Sequence, residues 1–374
     1  MPAVTFDRGE GSSPGNGART RTGARWGTAV LAAGGLLAIV LTGCGSAKSG
    51  SKAAQVTITV YNGQHQQTTD SAVQGFEKVY PAVKVLVRDD DEDTFDAEIV
   101  AEGARSPADI FYTENSPALE YLQQRGLLAP VPASTLAKTP SRYNSPQGDW
   151  VGVSARVSVI IYNPKLIARS DLPAHVLQLA EPKYKGLLAF AAGETDFQPI
   201  VTAVVKAYGV KRALEWLDGI KANAGNHVYP DNETIADEVN RGEVAFGVVN
   251  QYYWYRMRAE VGASNMHSEI TYFAPRDPGY VIDVSGAAVL KSSKHKAAAE
   301  EFLAYLVSKA GQEVIANSGD GANQSVSFEY PIASGVTTRA PETPFSDLRP
   351  YPVSIAELGT GAQAINLLRE VQLL

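Results

Sequence analysis

A chain of 374 residues, 44% apolar and 20% charged, has the make-up of a globular protein and the length of two ordinary domains. Its formal charge is −7, and residues 1–43 carry Arg8, Arg19, Arg21 and Arg25 against Asp7 and Glu10; removing that surplus of two positive charges leaves −9 for the rest. Such a balance argues against nucleic acid as a partner and is compatible with a cation. One cysteine, Cys44, excludes both an intrachain disulfide and a cysteine-based metal cluster.

The first element is a targeting segment. Arg19, Arg21 and Arg25 form a basic region, followed by an apolar run from Gly27 to Val40 that is short for a membrane span and fits a secretory signal. The run ends in Leu41-Thr-Gly-Cys44, which resembles the lipobox of bacterial lipoproteins. That resemblance implies removal of residues 1–43 and a lipid anchor on Cys44. Residues 44–55, rich in Gly, Ser, Ala and Lys, then read as a lipidated tether.

From Gln55 strands and helices alternate. Val56–Tyr61 is a strand of β-branched residues, Thr69–Tyr80 an amphipathic helix and Val83–Val87 a strand. Thr94–Glu102 is a helix and Asp109–Tyr112 a short strand. This β-α-β-α-β rhythm predicts a parallel sheet with helices on both faces. Val157–Tyr162 is a long apolar strand, after which Pro199–Ala207, Lys211–Ile220 and Glu233–Asn240 read as helices. Val244–Val249 is a buried strand, Trp254–Val261 a helix, and Gly286–Leu290 another strand. A helix from His295 to Leu306 continues near Lys309–Ile315, and 319–345 reads as mostly loop.

Three polar landmarks fall just beyond strands: His65, Glu114 and the doublet Tyr252-Tyr253. In open α/β sheets, ligands bind beyond the carboxyl ends of strands. Two neighbouring phenols cannot face one site from within a strand, where side chains alternate, but at a strand-to-helix corner they can converge. One imidazole, one carboxylate and two phenols make a donor set dominated by hard oxygen, which suits iron(III) better than zinc or copper. Each residue also has a plainer explanation: a loop histidine, a helix-capping glutamate, a packed aromatic cluster.

The segments Ile58–His65, Pro107–Glu114, Asn250–Tyr255, Asp277–Gly279 and Ser285–Lys291 together resemble the bacterial ferric-ion-binding proteins, the substrate-binding subunits of iron ABC importers, with the motifs in family order. The resemblance implies an α/β, two-lobed periplasmic-binding-protein fold of type II, with a ligand cleft between lobes joined by a hinge. Residues 56–155 and 283–332 would form lobe 1, and residues 156–282 and 333–374 lobe 2, with crossings near Arg156 and Asp283. It makes His65, Glu114, Tyr252 and Tyr253 the ferric-ion ligands. It places Arg156, Asn250 and Thr195 beside a synergistic anion such as carbonate. The partners it implies are ferric ion and an ABC permease. The protein would be a monomer held on the outer face of the cell membrane by its lipid alone, and not an enzyme. Where phosphate-binding members have a Ser-Gly-Ala type loop, this chain has Glu194-Thr195-Asp196, two carboxylates that would repel phosphate. Carbonate held by Arg156, water, or direct coordination by Asp196 all fit the sequence.

Other signals fail. Asp89–Asp93 puts Thr94 and Val100 where a calcium loop needs Gly and Glu, and reads as a solvated loop capping the next helix. Gly359–Ala364 imitates a dinucleotide loop without a preceding strand. His175, His227, His267 and His295 have no metal-like spacing and read as surface residues. The rivals are the same fold binding thiamine, a phosphonate, a polyamine or an oxyanion, a hydrolase using Glu114 and Asp196, and a sensor. The joint presence of His65 and Glu114 sets iron apart from the organic ligands.

Overall fold

The computed structural model describes residues 55–317, 327–337 and 342–374. The expected signal segment, Cys44 and nearly all of the tether lie outside the described residues, as does part of the 319–345 loop. Ala53–Leu374 forms one compact unit.

Among the described residues nine strands make one mixed sheet: β1 (Val56–Gly63), β2 (Val83–Asp89), β3 (Ile110–Thr113), β4 (Val151–Tyr162), β5 (Leu188–Ala189), β6 (Phe246–Asn250), β7 (Glu269–Thr271), β8 (Ile282–Val289) and β9 (Tyr330–Pro331). The order is β2-β1-β3-β8-β4-β6-β5, with β7 and β9 both on β4. The expected parallel pairing holds for β2-β1-β3. Beyond the three strands of that rhythm the sheet is mixed: β5 pairs parallel with β6, whereas β8, β4 and β6 join antiparallel. These strands return from distant parts of the chain, so no local βαβ crossover sets their direction.

The 12 residues of β4 are all buried, and the strand serves two main ladders besides the short pairings with β7 and β9. Its first part, to Val157, pairs with β8, and Ser158–Tyr162 pairs with β6. Arg156 and Asp283, the two expected crossing points, are register partners in the first ladder. One apolar core gathers Ile58, Val60, Phe76, Phe302 and Leu303 on the β1–β3 side. A larger one runs from Phe95 and Phe111 through β4 to Trp216, Phe246 and Tyr252.

The helices that carry the site start at strand ends. Gln66–Val79 begins three residues earlier than read, with His65 as its N-cap, and buries Thr68, Thr69, Ala72 and Phe76 on one face. Glu92–Glu102 begins inside the acidic run, and Ser116–Gln124 follows β3 with Asn115 as N-cap. Gln251–Val261 follows β6 with Asn250 as N-cap, which puts the tyrosine doublet in its first turn. A 3₁₀ turn, Thr195–Phe197, leads into the helix Gln198–Tyr208. Sequence reading missed Ser116–Gln124 and the C-terminal helix Ala362–Glu370. Among the described residues no helix is long and apolar enough to cross a membrane.

Candidate metal centre

The structure brings His65, Glu114, Tyr252 and Tyr253 to one place. Glu114 Oε1 lies 2.9 Å from His65 Nε2 and accepts the Tyr252 hydroxyl at 2.5 Å. The Tyr252 and Tyr253 ring centroids are 4.2 Å apart, and that of His65 lies 5.2 and 6.0 Å from theirs. Consecutive residues in a first helical turn diverge by about 100°, less than the reversal along a strand, which lets both phenols reach the same cleft. Both are buried, at 0% and 3% exposure.

Asp196 completes the group. Its Oδ2 lies 3.0 Å from the Tyr252 hydroxyl and accepts from Asn232 at 3.2 Å. These donor atoms lie 2.5–3.0 Å apart, close enough for one small hard cation to reach all of them. His65, Glu114, Asp196 and the tyrosines stand at or beside the starts of four helices, whose N-terminal dipole ends favour negative donors. Among the described residues no cluster of three or more His, Cys, Asp and Glu side chains could hold a metal ion alone, so any metal here depends on the phenols.

Arg156, almost fully buried, reaches Glu114 Oε1 at 2.9 Å, Asp196 Oδ1 at 3.7 Å and Glu329 Oε1 at 2.9 Å. Burial disfavours its charge, but Glu329, Tyr252 and Asp196 outweigh that and hold its pKa above the ordinary arginine value. Arg256 lies over the Tyr252 ring, 4.5 Å from the centroid. Burial, helped by Arg256 and Arg156, holds His65 well below the ordinary imidazole value, so it is a neutral donor. Burial first, and then Asp196, hold both phenols well above theirs, so each keeps its proton until a cation displaces it. Several buried polar atoms here have no hydrogen-bond partner among the described residues: His65 Nε2, Arg156 Nε and Nη1, Asp196 Oδ1 and Arg256 Nη2. The 2.9 Å approaches of neutral His65 and charged Arg156 to Glu114 are close contacts, not aligned hydrogen bonds. Such an accumulation of unsatisfied atoms marks a ligand position.

Of the residues expected beside an anion, Arg156 faces Asp196 and Glu114, while the Thr195 hydroxyl accepts from Asn115 at 2.9 Å. Asn250, Asp196, Asn115, Ser158 and Asp283 line a void of about 10 Å³, room for a water and no more. A cavity of about 650 Å³ adjoins His65, Glu114 and Tyr253 and is walled by Asp89, Asp90, Asp91, Asp93, Glu194, Asp231 and Glu233.

Glu92 corrects the reading of the acidic run as solvated. It is 5% exposed, and its Oε2 accepts the backbone N–H groups of Glu114 and Asn115, both at 2.9 Å. Gly63, at the end of β1, permits this packing, since a Cβ there would lie 2.6 Å from that of Glu92. Sequence reading also missed Glu329, Gln64 and Arg256. Only Arg256 carried a signal, four residues after Tyr252 on one helix face. Of the remaining histidines, His175 and His295 are exposed and pair with Asp277 and Asp109.

A family model described as bacterial extracellular solute-binding protein matches residues 105–341. The Fe(3+)-binding periplasmic protein of Serratia marcescens is 35% identical over 317 residues, 85% of this chain and 90% of that protein. The major ferric iron-binding protein of Neisseria meningitidis serogroup A is 35% identical over 315 residues, 84% of this chain and 92% of its own length. The crystal structure of iron-bound HitA from Pseudomonas aeruginosa superposes with a TM-score of 0.79 at 38% identity, covering 84% of this chain and 99% of that one.

Proposed function

Since the chain belongs to the bacterial extracellular solute-binding proteins, we propose that its cargo is ferric iron, held in the cleft of a two-lobed type II binding fold and delivered to an ABC permease. It is a binding protein, not an enzyme. The observation that carries the reading is the convergence of Tyr252 and Tyr253 with His65 and Glu114 around one point. We assign these four as ligands. An organic cargo such as thiamine or a polyamine needs neither the imidazole nor so many anionic oxygens.

Asp196 is the fifth ligand in this reading and stands where sequence reading allowed a carbonate. Its unpartnered Oδ1, its approach to Tyr252 and the water-sized void beside it support this. Charge supports it too. Two phenolates with Glu114 and Asp196 set four negative charges against three positive ones on the ion. Arg156 and Arg256 against Glu329 then bring the buried group to neutrality. A further anion would add an uncompensated buried charge, which is costly. Arg156 thus serves the protein's own carboxylates. The lobe limits at residues 155, 282 and 332 are part of the same reading, supported by the change of ladder along β4.

We further propose that Cys44 is lipidated and that the protein works as a monomer on the outer membrane face. Cys44→Ala should then leave the membrane fraction, and sedimentation should give a single-chain mass. For the cargo, iron(III) added to the purified protein should produce a visible phenolate-to-iron charge-transfer band. A Tyr252→Phe, Tyr253→Phe double variant that keeps the band and full affinity would overturn the ligand assignment.

A further inference from the structure

Thr195 stands one residue before Asp196, and Asn115 one residue after Glu114. Asn115 Nδ2 donates to Thr195 Oγ1 at 2.9 Å and also reaches Glu92 Oε1 at 3.4 Å. Glu92 in turn holds the backbone N–H groups of Glu114 and Asn115. The segment bearing one carboxylate of the metal site is therefore tied to the turn bearing the other through a single hydroxyl. The two tied segments are 80 residues apart in sequence, and their carboxylates meet at the Tyr252 hydroxyl.

We propose that Thr195 is a positioning residue that latches the closed cleft, joining Asn115 on one side to the Asp196 turn on the other and so setting the rate of iron release. The proposal rests on the ferric-iron reading above and concerns a residue outside the ligand set. Asn115 and Thr195 close on each other only when the two segments meet, because each comes from a different part of the sheet: the end of β3 and the turn after β5. In an open cleft both groups are free to bond water, so the latch exchanges solvent bonds for a protein bond and adds modestly to closure. Its effect falls on how long the closed form lasts, since the metal bonds themselves are untouched.

Thr195→Val keeps the shape of the side chain and removes the hydroxyl, leaving the buried Asn115 amide only its longer 3.4 Å contact with Glu92. The test loads wild-type and variant proteins with iron(III) and follows release to excess chelator by the charge-transfer band. Release from Thr195→Val should be about tenfold faster, the magnitude of one lost buried hydrogen bond. The band position should not move, and Thr195→Ser should restore the wild-type rate within about twofold. Asn115→Ala should speed release similarly, and the double variant Thr195→Val, Asn115→Ala no more than either alone, as expected for two halves of one interaction. Wild-type release rates from both single variants overturn the latch while leaving the iron site standing. A shifted band in Thr195→Val overturns it differently, by making Thr195 a ligand. If wild type gives no band, the ferric reading falls and the latch falls with it.

Discussion

Arg156 and Glu329 form an ion pair at 2.9 Å with side-chain exposures of 1% and 0%. Breaking such a pair from one side costs up to about 3–5 kcal/mol, and because Arg156 keeps Glu114 at 2.9 Å and Asp196 at 3.7 Å the loss here falls toward the lower end. Glu329 also bonds the Ser154 hydroxyl and accepts from Gln64 at 3.3 Å, so its loss strips three donors at once. Glu329→Ala should lower the unfolding free energy of the iron-free protein by about that amount in a denaturant titration. A change below about 1 kcal/mol would mean that water replaces the carboxylate.

Iron uptake should release protons. Both phenols are held well above their ordinary pKa in the iron-free site and are protonated at neutral pH, whereas as ligands they are phenolates. His65 is already neutral and contributes none. About two protons should therefore appear per iron bound in weakly buffered solution, once hydrolysis of the added iron is subtracted. Apparent affinity should fall steeply as pH drops. Release of one proton or none would remove a tyrosine from the ligand set.

The acidic wall of the cleft makes the iron-free protein sensitive to base. Burial, then Asp196 and Glu233, push Glu194 up to about 8 from the ordinary 4.5, and beside the cleft burial with Asp93 pushes Asp96 up to about 7 from 3.8. An acid whose pKa is raised on folding binds its proton more tightly in the folded state. Its relative contribution to stability is thus full below the unfolded pKa and is lost as pH rises through the folded one. Melting temperature should fall between about pH 5 and 8. Glu194→Gln should raise it more at pH 8 than at pH 5; an equal rise at both would show that charge is not the cause.

If Asp196 fills the place of an exogenous anion, removing it should create an anion requirement. Wild type should load iron equally well with and without added phosphate or bicarbonate. Asp196→Ala should bind at least about a hundredfold more weakly in anion-free buffer, the scale of a lost charge-assisted contact, and should recover when phosphate is added. A wild-type protein that loads only with anion present would return the carbonate reading.

What sequence revealed followed from local rules. His65, Glu114 and the tyrosine doublet stand at strand ends, and β-branched runs followed by amphipathic stretches make strand ends legible. The direction of β8 and β4 was not legible, because their partners lie far away in the chain and periodicity carries no direction. Glu92 was hidden by its acidic neighbours, since only the close approach of β1 at Gly63 separates it from the exposed carboxylates around it. Glu329 had no motif at all. Its role exists only because Tyr330 and Pro331 pair with β4 and bring the preceding residue against Arg156.

β4 changes partner one residue after Val157, so a swing that separates its two ladders turns about that junction. Displacement grows with distance from a pivot and vanishes near it. On the proposed lobe limits Arg156 and its register partner Asp283 would stay near the pivot, while Glu114 and Tyr252 would travel on opposing arms. The guanidinium supplies a stationary electrical reference. A closing swing would then be steered toward the same point on each cycle.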